Sequence, residues 1–182
     1  MKLLIASDIH GDISSAKKII EIFNEGKFDK ILLLGDILYH GPRNDLPSEY
    51  APKEVIPLLN SYASYITSVR GNCDAEVDGM VLDFSVSGDY EILCASGVKI
   101  FATHGHVYSE DKLPQNEEFD LFIQGHTHLP DIKQLECNAT FLNPGSITLP
   151  KGGNPRSYAT LEDGVISIFD IDGNILKTKR IS

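Results

Sequence analysis

The residues of this chain best suited to chemistry are two carboxylates, one amide and four imidazoles. They arrive in five short stretches: Asp8 and His10 in SDIHG, Asp36 in LLLGDI, Asn72 in VRGNCD, His104 in THGH, and His126 and His128 in GHTH. All are groups that ligate divalent cations, and a mixed oxygen and nitrogen set without thiolate is compatible with manganese, iron, zinc or cobalt. In an extended segment residues i and i+2 point to the same side, so His126 and His128 can reach one region of space. Taken singly, each stretch has a plainer reading. Asp-x-His after a strand is a turn with a helix cap, which Asp12 or Ser14 would supply; Gly-Asp and Gly-Asn are turns; His104 is a loop histidine. The plain readings leave the joint occurrence unexplained, because every stretch follows an apolar run. Imidazoles ligate only when neutral, so a metal-dependent activity should fall as the pH drops below about 6.5.

The elements that must position these groups follow from hydrophobic periodicity. KLLIAS (2–7), KILLLG (30–35) and YITSV (65–69) read as buried strands. Residues 12–26 read as an amphipathic helix with Ile13, Ala16, Ile19, Ile20 and Phe23 on one face and Gly26 as its stop. A polar, Pro-containing loop (39–52) leads to a short helix at 53–62. Strands alternating with helices predict a parallel sheet whose ligands gather beyond the strand ends. The second half predicts short strands: VLDFSV, YEILCAS, VKIFAT, DLFIQ, IKQLE, ATFLN, SYATLE, VISIFDI and ILKTKRI. Turn signals such as Ser96-Gly97 and Asp163-Gly164 separate them. These form a second, more antiparallel sheet packed against the first. Glycines beside the candidate ligands (Gly11, Gly35, Gly71, Gly105, Gly125) permit close backbone approach.

Composition bounds the function. The chain has 182 residues and 42% hydrophobic content, which suits one packed domain over 1–182. A formal charge of −10 argues against a nucleic acid duplex as partner, since such binding rests on clustered Lys and Arg. Cys73, Cys94 and Cys137 are odd in number and widely spaced, which argues against a disulfide framework and for a reducing, cytoplasmic setting. Cys94 and Cys137 sit in strand-like runs and read as core. No segment has membrane-spanning length, and no membrane partner is expected.

The order DxH, GD, GN, H and GHxH resembles the calcineurin-like metallophosphoesterases. The stretches GDILYHGPRNDLP, VRGNCDAEVD, GHTHLP and NPGSITLPKGGNPRSY resemble the small bacterial phosphodiesterases of that family and their archaeal relatives, over nearly the whole chain. The resemblance implies an α/β (α+β) fold, a four-layer sandwich of two mixed β-sheets flanked by helices. It also implies two divalent metal ions, commonly Mn2+ in this branch, with Zn2+, Fe2+, Co2+ or Ni2+ as alternatives. By motif, Asp8, His10, Asp36 and His128 would hold one ion, and Asp36, Asn72, His104 and His126 the other. The implied activity is hydrolysis of small phosphodiesters by a hydroxide bridging the ions, with Asp36, Asn72, Cys73 and His104 as the catalytic set.

One departure from the wider family concerns Cys73, which stands where a GNH motif has its histidine. The thiol is either a proton donor to the leaving group or a packing residue. Its presence favours diesters over monoesters, because alkyl monoesters need the missing histidine most. Arg43 (with His40) either lines the substrate entrance or belongs to a solvated loop, and His106 either contacts substrate or supports His104. Residues 143–146 and 151–156 are expected to shape the site floor or a subunit contact. A phosphomonoesterase on the same metals, and a non-catalytic scaffold like the retromer subunit of this fold, are the alternatives in function. A homodimer or homotetramer is the assembly the resemblance carries.

Overall fold

A computed structural model describes residues 1–181; Ser182, the last residue of the expected 1–182 unit, lies outside the described residues. In β1 (Leu3–Ala6) and β2 (Lys30–Leu33) every side chain except Lys30 is buried. Leu3, Ile5 and Leu32 enter one core, whereas Leu4, Ala6, Ile31 and Leu33 enter another. Covering on both faces is why these runs are continuously apolar rather than alternating. β1 pairs in parallel with β2, and β2 with β3 (Ile66–Ser68).

The crossovers are α1 (Ile13–Gly26) and α2 (Pro52–Asn60). α1 buries Ile13, Ala16, Ile19, Ile20 and Phe23, the face expected from the sequence, and the Asp12 carboxylate caps it by accepting from the Ser15 N–H at 2.8 Å. The stop lies one residue later than expected. Gly26 remains helical, and Lys27 takes the left-handed conformation, its N–H donating to the Asn24 and Phe23 carbonyls.

The second sheet has the order β4 (Tyr90–Ala95), β5 (Val98–Thr103), β6 (Leu121–Ile123), β8 (Thr140–Asn143), β7 (Asp131–Gln134). Its centre, β5-β6-β8, is parallel, and only its edges are antiparallel. The last three strands, β9 (Ser157–Glu162), β10 (Val165–Asp170) and β11 (Ile175–Arg180), correct the expectation. They join the first sheet, β9 running antiparallel to β1, so that both sheets are mixed. There Ala159, Leu161, Ile166 and Ile168 fill the core between the sheets. VLDFSV is not a strand. Leu82, Phe84 and Val86 alternate and are buried, yet they pack as single plugs in the helix-side core from irregular backbone without a partner strand.

The two helices cover the outer face of the first sheet. The outer face of the second is a ladder of Phe101, Phe122 and Phe141 beneath Tyr108, Leu113 and Phe119 of the segment joining β5 to β6. Cys94 and Cys137 are exposed, not core. Edge strand β4 turns alternate residues to solvent, and Cys137 lies in the turn after β7. Among the described residues no helix is long and apolar enough to cross a membrane.

Candidate metal centre

All seven candidate ligands lie just past the C-terminal ends of parallel strands: Asp8 and His10 after β1, Asp36 after β2, Asn72 after β3, His104 after β5, and His126 and His128 after β6. The two sheets present these ends side by side. Five of the seven take left-handed backbone: Asp8 (φ 61°), His10 (50°), Asp36 (53°), His126 (66°) and His128 (61°). That conformation costs a non-glycine residue roughly 1–2 kcal/mol, and such strain collects where side chains must be aimed for function. The strained loops are tied to one another by backbone hydrogen bonds, His10 N–H to the Asp36 carbonyl at 2.8 Å and Gly125 N–H to the His104 carbonyl at 2.9 Å.

Three imidazoles are oriented by backbone carbonyls. His10 Nδ1 lies 2.9 Å from the Tyr39 oxygen, His104 Nδ1 2.6 Å from that of Leu34, and His128 Nδ1 2.5 Å from that of Leu149. A carbonyl can only accept, so each Nδ1 carries the hydrogen, and in the neutral ring Nε2 presents a bare lone pair. Those lone pairs converge. His10 Nε2 and His128 Nε2 are 3.3 Å apart, and His128 Nε2 is 3.1 Å from Asp8 Oδ1. On the other side His104 Nε2 is 3.1 Å from both Asn72 Oδ1 and His126 Nδ1. Between the two groups stands Asp36 Oδ2, 3.9 Å from His10 Nε2 and 3.6 Å from His104 Nε2. Asp36 Oδ1 is occupied by the Cys73 N–H at 2.8 Å, and Asp8 Oδ2 by the Ser7 hydroxyl at 2.6 Å. Facing lone pairs require a cation between them, and a carboxylate oxygen shared by two such groups fits a dinuclear divalent metal site.

Without metal, protons take part of that role. Burial alone would raise the pKa of Asp8, but hydrogen bonds from His10 and His128 outweigh it and hold the carboxyl well below its usual range. Burial alone would lower His10, and its hydrogen bond to Asp8 raises it instead.

Residues 1–163 match the calcineurin-like phosphoesterase superfamily domain. The chain belongs to that superfamily. It is similar to phosphodiesterase YfcE of Escherichia coli, 41% identical over 172 residues that cover 94% of this chain and 93% of the relative. The solved structure of YfcE, described as a phosphoesterase, superimposes with a TM-score of 0.96 at 40% identity, covering 100% of both chains. A probable metallophosphoesterase of Bacillus subtilis, YsnB, is 30% identical over 96% of this chain and 94% of its own.

In this calcineurin-like phosphoesterase the centre opens into a cleft of about 330 Å³ lined by the candidate ligands Asp36, Asn72, His126 and His128 together with Arg43, Thr127 and Lys151. Arg43 lines that cleft with an exposed side chain. His40 is absent from that lining and packs edge-on against Tyr39 and Tyr50. Cys73 also lines the cleft and lies within metal-binding reach of His10 and Asp36. Burial first, then the Asp36 carboxylate, push its thiol up to about 12. His106 is exposed, lies with its ring 5.3 Å from that of His104 and lines none of the cleft; the Leu34 carbonyl, not His106, holds the outer nitrogen of His104.

Sequence reasoning passed over Asp74, which holds the loops that carry the ligands. The Asp74 carboxylate accepts the N–H groups of Asp36, Ile37 and Gly71 at 2.7–2.8 Å, pinning the loop after β2 to the loop after β3. Ser146 donates to the Asp8 carbonyl, and Asn143 donates to the Gly125 carbonyl. The signal for Asp74, an acid two residues beyond Gly-Asn, is visible only once the Gly-Asn turn is placed beside Asp36. Of the two loops expected to shape the site floor or a subunit contact, 143–146 reaches the loops that carry the ligands, through Asn143 and Ser146.

Gly125 makes the closest approach. A Cβ there would lie 2.0 Å from Ser7 Oγ and 3.0 Å from Asp8 Oδ2. Gly125→Ala should therefore displace Asp8, destabilising the metal-free protein by about 1–3 kcal/mol and weakening metal binding roughly 10-fold or more. Gly79→Ala, where the added carbon meets nothing within 4 Å, is the matched control. Urea denaturation and metal titration check both, and equal behaviour of the two variants would contradict the account.

Proposed function

We propose that the chain is a metal-dependent phosphodiesterase of small substrates, acting as one domain in the cytoplasm. The observation that carries this is the pair of converging donor groups joined by Asp36 Oδ2. In this reading Asp8, His10, Asp36 and His128 hold one cation, and Asp36, Asn72, His104 and His126 the other. Manganese is our choice of metal, and a homodimer or homotetramer our choice of assembly. Two bound divalent cations supply charge neutralisation at the phosphoryl oxygens and a water of lowered pKa.

The chain's own residues do the rest. Backbone carbonyls fix the ring orientation of His10, His104 and His128. Asn72 presents Oδ1 toward the centre while its Nδ2 donates to Cys73 Sγ at 3.2 Å. Cys73 lines the cleft where the wider family has a histidine, and a thiol is a poorer proton donor to a departing alkoxide than an imidazolium, which favours diesters whose alcohol leaves without strong protonation. Arg43, which lines the cleft, contacts the bound substrate, and His106 lies beside His104. The intact donor set supports an enzyme over a scaffold.

The test uses metal-stripped protein with bis-(para-nitrophenyl) phosphate and para-nitrophenyl phosphate, before and after adding manganese. Restored diester cleavage with slow monoester cleavage is expected. Monoester cleavage at equal rate would make it a phosphomonoesterase, and metal binding without cleavage of either ester would make it a scaffold.

A pH dependence follows. His10, raised by Asp8 against the effect of burial, adds stability to the metal-free protein below its unfolded pKa, and that contribution is lost as pH rises through the raised folded value. His126 works the other way. Burial first, then the neighbouring His104, push it down, so its contribution is lost as pH falls. Metal competes with the His10 proton, so the manganese-dependent rise in Tm should grow from about pH 5.5 to about pH 8. The stabilisation behind that rise should approach about 2.7 kcal/mol per metal site at a hundredfold excess over Kd. Thermal unfolding across that range checks it; an increment that shrinks with pH would refute it.

A further inference from the structure

Two cations at the cleft mouth are not accounted for by the metal centre. The side chains of Arg43 and Lys151 are exposed, line the same cleft and form no hydrogen bond or ion pair with any described residue. In a chain with 26 acidic and 16 basic residues, Lys2, Lys18, Arg70, Lys99, Lys133 and Lys177 reach a carboxylate; Arg43 and Lys151 do not, and the two share one cleft. Among the lining residues Asp36 is the sole carboxylate, and it faces the centre rather than the mouth.

The Lys151 backbone is placed, not loose. Its N–H donates to the His128 carbonyl at 3.3 Å, and the same histidine ring donates to the Leu149 carbonyl. Beyond it the chain turns through Gly152 and Gly153, closed by Asn154 Nδ2 donating to the Lys151 carbonyl at 2.8 Å. On the other loop Asn44 Nδ2 donates to the His40 carbonyl at 2.8 Å, fixing the turn that carries Arg43. Two separately anchored loops thus direct unneutralised cations into one opening.

The charge balance shows what they would meet. Two dications, held by Asp8 and Asp36 and accompanied by the attacking hydroxide, would leave a surplus of one positive charge, which the single negative charge of a simple diester balances. A monoanionic substrate is answered by the centre alone. We propose that Arg43 and Lys151 form a second anion subsite, so that the preferred substrates are phosphodiesters carrying a further phosphate or other anionic group beside the scissile one. This rests on the phosphodiesterase reading above.

The test compares thymidine 5′-(para-nitrophenyl phosphate) with the same ester bearing a 3′-phosphate. Wild-type protein should favour the phosphorylated ester on the order of 10-fold in kcat/KM, through KM, and the preference should shrink near 1 M salt, where the screening length is about 3 Å. Lys151→Ala and Arg43→Ala should each lower that ratio toward one, while Lys151→Arg and Arg43→Lys retain most of it. Lys17→Ala removes the same charge from the exposed side of α1 and should leave the ratio at the wild-type value. Calorimetric binding of thymidine 3′,5′-bisphosphate against thymidine 5′-monophosphate reads the subsite without turnover. A wild-type ratio near one in both assays, or a ratio that survives loss of both cations, overturns the proposal. Absence of all ester cleavage together with a binding preference that Lys151→Ala removes would overturn the phosphodiesterase reading and leave the subsite standing.

Discussion

Asp36→Asn is expected to lower diester hydrolysis by about three orders of magnitude or more while leaving the metal-free fold close to the wild type in stability. The asymmetry comes from the two oxygens of one side chain. The amide oxygen can still accept the Cys73 N–H that Asp36 Oδ1 accepts at 2.8 Å, so the loop keeps its geometry. The shared position of Oδ2, within 3.9 Å of both His10 and His104, becomes an amide that bridges poorly. Asp8, Asp36 and His104 present ligand atoms within 4.8 Å of one another, and an amide of the same size leaves that packing in place. Metal stoichiometry by elemental analysis should fall from two per chain, and the manganese-dependent rise in Tm should largely vanish. Near-wild-type turnover with two metals bound would remove Asp36 from the bridging position.

The second large effect belongs to a residue that touches no candidate metal position. Asp74→Ala strips the acceptor from three backbone N–H groups, those of Asp36, Ile37 and Gly71. Each unsatisfied donor costs about 1–3 kcal/mol, so a destabilisation of about 3–5 kcal/mol is expected. Burial pushes the Asp74 pKa up while these same N–H donors pull it down, so the variant acts mainly by removing backbone partners rather than a favourable charge. Because the loop carrying Asp36 is released, hydrolysis should also fall roughly 100-fold. Asp74→Asn, which keeps one carbonyl oxygen, should lie between. Urea unfolding and the bis-(para-nitrophenyl) phosphate assay read the two effects separately, and a wild-type unfolding midpoint for Asp74→Ala would discard the account.

Both effects show where the sequence is readable. β1, β2, α1 and the strands of the second half announce themselves through period and composition, because covering on one face or two leaves a direct imprint on residue type. VLDFSV misled for the same reason. Alternation records burial of every second side chain, and Leu82, Phe84 and Val86 are so buried, but alternation does not record whether a neighbouring strand completes the ladder. Cys94 misled because an apolar run does not reveal that its strand lies at a sheet edge.

By itself the sequence determined which groups could bind metal and that they follow strands, since those facts are local to DxH, GD, GN, H and GHxH. The tertiary structure alone decided which nitrogen of each ring faces inward, which oxygen of Asp36 lies between the two donor groups, that Asp74 pins the loops, and that β9 to β11 return to the first sheet. The reason is distance along the chain. His10 and His128 meet across 118 residues and Asp36 meets Asp74 across 38, and contacts of that span are set by how the sheets stack, which no local pattern encodes.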